Sequence, residues 1–156
     1  KSHLARAIAA RVPAVVLDID ALRGALFEDP QHTAQEHGRL FPALHVLMDR
    51  LLAQRITVIV DATNLKETNR KPYYRIAAKH GAKVLLVRVW ARPPVIRRRL
   101  LARAESPDPA DRSTATLEVY ERMREGAQRL SKRHISVDTS TEIRTSVDKI
   151  VALLQS

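Results

Sequence analysis

The chain has 156 residues, 45% hydrophobic and 28% charged, which suits one domain with a buried core and excludes a disordered chain. Its longest apolar runs are four or five residues, so no membrane span is expected, and zero cysteines exclude disulfides and thiolate metal sites. The net charge of +10, carried by 20 Arg and 7 Lys, suits a polyanionic partner such as nucleic acid or simply a solvated surface, and the few aromatic residues supply little for base stacking.

The first stretch, "KSHLARAIAA", puts Lys1 and Ser2 ahead of a helical pattern in which Leu4, Ile8 and Val12 recur every four residues. An apolar, β-branched run, "PAVVLDID" (13–20), follows; it ends in Asp18 and Asp20, with Arg23 just beyond. The polar segment "EDPQHTAQEHGRL" (28–40) identifies no substrate. Leu40, Leu44, Leu47, Met48, Leu51 and Leu52 then mark a strong amphipathic helix. A second run, "ITVIVDATN" (56–64), ends in Asp61, Thr63 and Asn64, and residues 66–80 read as a helix closed by His80-Gly81. The third run is "AKVLLVRVW" (82–90). After it, "VIRRRLLARAESPDPADR" (95–112) places Arg99 and Arg103 on one helix face. The Pro-, Ser- and Asp-rich segment 105–113 reads as a linker or a mobile lid. Leu117, Tyr120, Met123, Ala127 and Leu130 predict another helix, "HISVDTS" (134–140) a last strand, and Ile143 to Leu154 a last helix.

Most of the four runs lack clean alternation, as strands buried on both faces of a parallel sheet do, and helices separate them. The expectation is an α/β, three-layer fold with a parallel sheet and helices on both faces, forming a single domain over residues 1–156. An acidic residue at the end of one apolar strand is commonly just a helix cap, and an arginine-rich helix is commonly a solvated face. The combination carries more. A lysine for the β- and γ-phosphates, a hydroxyl for Mg²⁺, a carboxylate for an acceptor hydroxyl and arginines for the transferred group are the parts of phosphoryl transfer. The six histidines show no metal spacing, and no Ser-His-Asp or Gly-x-Ser-x-Gly pattern occurs.

Five stretches in order resemble the small P-loop kinases, in particular the polynucleotide kinase-like and zeta toxin-like group with relatives described as AAA-type ATPases: "KSHLARAIAA", "LDIDALR", "VIVDATNLKETNRK", "VIRRRLLAR" with "LEVYERMRE", and "HISVDTS". The resemblance runs from Lys1 to about Leu154. It implies ATP and Mg²⁺ as cofactors, with Lys1 as phosphate-binding lysine, Ser2 as Mg²⁺ ligand and Asp61 as the more distant magnesium carboxylate. Asp20 would be the general base, and Arg23 would hold the acceptor's phosphate or other anion. Arg103, supported by Arg99, would be the arginine of a lid at about 95–115. Thr63, Asn64 and Arg70 would line or brace the acceptor side, and Asp138 and Thr139 would approach the adenine.

It also implies a strand and a glycine-rich loop ahead of Lys1, the strand lying between the runs at 56–61 and 82–90. The four runs by themselves should therefore leave a gap in the sheet. The expected activity is an ATP-dependent phosphotransferase acting on a hydroxyl, with a nucleic-acid 5′-hydroxyl among the candidate acceptors, in a cytoplasmic protein. Two other classes compete with it. An ATP-binding or ATP-hydrolysing regulatory module would have no use for Asp20 and Arg23. A nucleic-acid binder relying on charge would need neither ATP nor Mg²⁺.

Overall fold

The structure, a computed structural model, describes residues 1–106 and 115–155. In chain order they form α1 (Ser2–Ala9), β1 (Ala14–Asp18), α2 (Ile19–Leu26), α3 (Ala34–Ala53), β2 (Thr57–Asp61), α4 (Glu67–Lys79), β3 (Val87–Trp90), α5 (Pro93–Glu105), α6 (Leu117–Glu125), β4 (Ile135–Asp138) and α7 (Arg144–Gln155). Most of the segment 105–113 lies outside the described residues.

The strands are parallel and form two pairs. β1 lies on β2 from Ala14 opposite Thr57 to Asp18 opposite Asp61, and β3 lies on β4 from Val87 opposite Ile135 to Trp90 opposite Asp138. Among the described residues β2 and β3 are not hydrogen-bonded to each other, which is the gap expected from the four runs. Two cores cover the faces. Leu4, Ile8 and Val12 meet Val137, Val147, Ile150 and Val151, and Ala14, Ile59, Val87 and Val89 pack against them. That cluster contains residues of both strand pairs, so α1 and α7 join them. On the opposite face Leu17, Leu40, Leu44, Met48, Tyr73 and Ala77 pack with Val58 and Val60. Ile59 faces one core and its neighbours the other, as in a strand covered on both sides. Helix, strand, helix: three layers result.

Local chemistry explains the element ends. Asp18 accepts from the backbone N–H of Asp20 and Ala21 and starts α2, and Thr33 accepts from the N–H of Glu36 and starts α3. Gly81 closes α4 at φ 62°, a conformation that glycine adopts without steric cost.

All four strands are shorter than the runs that predict them, and the third run and the helix expected to reach Leu130 differ most. Only Val87–Trp90 of the run 82–90 is strand, because its partner β4 is itself four residues long. The helix expected to reach Leu130 stops at Glu125. Its chain turns away because Gln128 is engaged elsewhere: its N–H donates to Leu65 O at 3.0 Å, and its side-chain oxygen accepts from Glu67 N at 2.9 Å. Gln128 thereby satisfies one of the free N–H groups in the first turn of α4.

Candidate functional site

Parallel packing brings the carboxyl ends of β1 and β2 to one edge, where Asp18 and Asp61 sit opposite each other. Open α/β sheets bind ligands at this edge. Asp61 is buried at 6% exposure, and Lys1, at the start of α1, brings its Nζ to 3.8 Å from Asp61 Oδ1. The second oxygen of Asp61 is buried and has no hydrogen-bond partner. Asp20, in the first turn of α2, is half-buried. Burial is the main cause that lifts its pKa above the ordinary aspartate value; Lys1 opposes the rise, Asp18 adds to it, His32 opposes it and Asp61 adds to it. Lys1, Asp20 and Asp61 thus share one electrostatic site.

A groove of about 1040 Å³ opens beside them, lined by Lys1, Ser2, Arg6, Arg99, Arg103 and Thr139 among others. Arg99 reaches from α5 to the turn after β4, donating to Thr139 O at 2.6 Å and Thr139 Oγ1 at 3.3 Å. That turn is fixed in its own right, since Thr139 N donates to Trp90 O at 2.8 Å. Arg103 lies one helical turn further on and donates to Ala115 O at 3.4 Å. The arginines predicted to cover the phosphates therefore line the same groove as Lys1 and Ser2.

The other predicted residues are placed differently. Asp138 does not line the groove. Its carboxylate accepts from Ser140 N at 2.8 Å, and the Ser140 hydroxyl and backbone N–H hold its pKa below the ordinary value. Arg70 is buried and acts as a brace: it donates to Asn64 O at 2.6 Å and to the Glu67 carboxylate at 3.0 Å, fixing the loop that carries the exposed Thr63. Arg23 is also buried, and its guanidinium lies 2.9 Å from Glu36 Oε2 rather than open to an incoming anion.

Glu36 and Gln128 are the two residues that sequence reasoning missed. For Glu36 a signal existed: Thr33 and Glu36 have the spacing of a capping box, Ser/Thr-x-x-Glu. The carboxylate, however, reaches past the cap to Gln31 N and His32 N.

Magnesium fits this donor set in a largely hydrated form. Ser2 and Asp61 offer hard oxygens, and the unpartnered buried oxygen of Asp61 suits a cation or its bound water. Among the described residues no group of three or more His, Cys, Asp or Glu could cage a metal ion. Among the same residues no helix is long and apolar enough to cross a membrane.

A family model described as an AAA domain matches residues 1–130. No curated protein matches the chain. Solved structures share the fold. The APS kinase of Mycobacterium tuberculosis, in complex with AMPPNP and APS, is 19% identical with TM-score 0.73, over 100% of this chain and 91% of that one. A sugar kinase of Janibacter sp. is 13% identical with TM-score 0.65, over 99% and 87%. The tunicamycin resistance protein of Deinococcus radiodurans is 18% identical with TM-score 0.60, over 98% and 90%. At these identities the likeness is one of fold: helices around parallel strands, as in P-loop kinases.

Proposed function

The chain belongs to the AAA domain family and has the P-loop kinase fold, and from that premise we propose that it is an ATP-dependent phosphotransferase acting on a hydroxyl acceptor. The observation that carries this reading is the continuity of two half-sites. Lys1 touches Asp61 beside the half-buried Asp20, and the same Lys1 lines the groove that holds Arg99 and Arg103. A regulatory module that only binds or hydrolyses ATP has no role for a carboxylate placed like Asp20.

In this reading the triphosphate lies in the groove, with Lys1 neutralising its β- and γ-phosphates. Thr139 and its turn stand where the rest of the nucleotide extends. Ser2, with Asp61 behind it, would hold Mg²⁺, which when bound would neutralise charge on the same phosphates. Asp20 takes the proton of the acceptor hydroxyl as its oxygen forms a bond to the γ-phosphorus. The bond from that phosphorus to the bridging oxygen breaks, and ADP leaves. Arg103 and Arg99 offset the charge on the transferred group. A nucleic-acid 5′-end is the candidate acceptor that the net positive charge favours, and the surroundings of Arg23 decide for or against it.

The test is ATP consumption by the purified protein against a panel of hydroxyl compounds, repeated with Asp20→Asn. Loss of a general base lowers transfer by about 10²- to 10⁴-fold while nucleotide binding is retained. Acceptor-independent hydrolysis that Asp20→Asn leaves unchanged identifies the regulatory module instead.

A further inference from the structure

Arg23 follows Asp20 by three residues on α2, so the two side chains project from one helix face. An anionic group next to the reacting hydroxyl would need that guanidinium. In the structure it is already matched. Arg23 is 5% exposed and Glu36 8%. Glu36 Oε2 accepts from Arg23 at 2.9 Å and from His32 N at 2.8 Å, while Glu36 Oε1 accepts from Gln31 N at 2.6 Å. Three donors from two segments hold one carboxylate.

We propose that Glu36 is a specificity-determining residue: by occupying Arg23 it restricts the acceptor side to hydroxyl compounds that carry no phosphate beside the reacting hydroxyl. This rests on the phosphotransfer reading and narrows its substrate class to neutral sugars or nucleosides. A phosphate brought to Arg23 meets the Glu36 carboxylate first. To take its place it must break a buried pair and free two backbone N–H groups from their acceptor, both unfavourable steps. The carboxylate also stays charged at neutral pH. The Gln31 N–H foremost, then Arg23 and the His32 N–H, hold its pKa below the ordinary glutamate value against the opposing effect of burial. A 5′-hydroxyl nucleic-acid end, whose terminal nucleoside bears a 3′-phosphate, falls on the excluded side.

The experiment compares uridine with uridine 3′-monophosphate on wild type and Glu36→Gln, by two readouts. In turnover, wild type favours uridine by about tenfold or more in kcat/KM, the value of one charge-assisted hydrogen bond, and the variant loses most of that preference. In the second readout the Arg23 Nε–H, buried and without a partner, is followed by NMR in ¹⁵N-arginine-labelled protein during titration with uridine 3′-monophosphate. Its signal stays in place in wild type and moves in the variant. Should Glu36→Gln not fold, Glu36→Asp, with a shorter reach, is titrated in the same way.

A wild-type Arg23 signal that moves saturably, equal turnover of the two acceptors, or a signal that moves in neither protein overturns the inference. If no hydroxyl compound is phosphorylated, the phosphotransfer reading fails on its own. The NMR titration then still decides whether Glu36 shields Arg23.

Discussion

Asp20 and Glu36 are two carboxylates that their surroundings shift in opposite directions, and each direction has a measurable sign. Burial raises Asp20 above 3.8, so it deprotonates at higher pH than an exposed aspartate. If Asp20 is the base, the acid limb of kcat/KM lies at higher pH than an ordinary aspartate would give. Asp18 adds to that rise and otherwise serves as the cap of α2, a role that asparagine fills equally well. Asp18→Asn is therefore expected to keep the helix and move the acid limb to lower pH, read from a pH–rate profile. Glu36 is shifted below 4.5. Its folded form holds its proton less tightly than the unfolded chain does, so its contribution to stability is present above 4.5 and is lost as pH falls through the lower, folded value. Thermal melts of wild type and Glu36→Gln should differ near neutrality and converge in acid.

Among the elements, α3 carries Glu36 at one end and the buried Leu40, Leu44 and Met48 along its length. Leu44 is 0% exposed, so Leu44→Ala leaves a cavity and should cost about 2–5 kcal/mol in denaturant unfolding. The apolar spacing of α3 was legible from sequence, as was the existence of β1, β2 and β4, since burial on one or two faces imposes a period on the residues themselves. The ends of β3 and α6 were not. Where β3 begins depends on the length of its partner. Where α6 stops depends on Gln128 meeting Glu67, 61 residues away in sequence. The same limit applies at the site. Lys1, Ser2, Arg99, Arg103 and Thr139, which the resemblance implied for the nucleotide side, line one groove. Arg23 was expected to hold an anion of the acceptor, because nothing local shows that Glu36, 13 residues on, turns back to it.

At the level of the whole molecule, the described strands form two hydrogen-bonded pairs, two leaves against which α1 and α7 both pack. Their amides should fall into two groups in native-state hydrogen exchange, β1 with β2 and β3 with β4, each group opening together. One common rate for all four strands would contradict this. The groove takes Lys1 and Ser2 from α1, which packs on β1 and β2, and Arg99 and Thr139 from the segments that follow β3 and β4. A polyphosphate lying there would be a staple between the leaves. Its occupancy would then be recorded far from the phosphates, as slowed exchange along β3 and β4, and the protein would be stiffest when loaded.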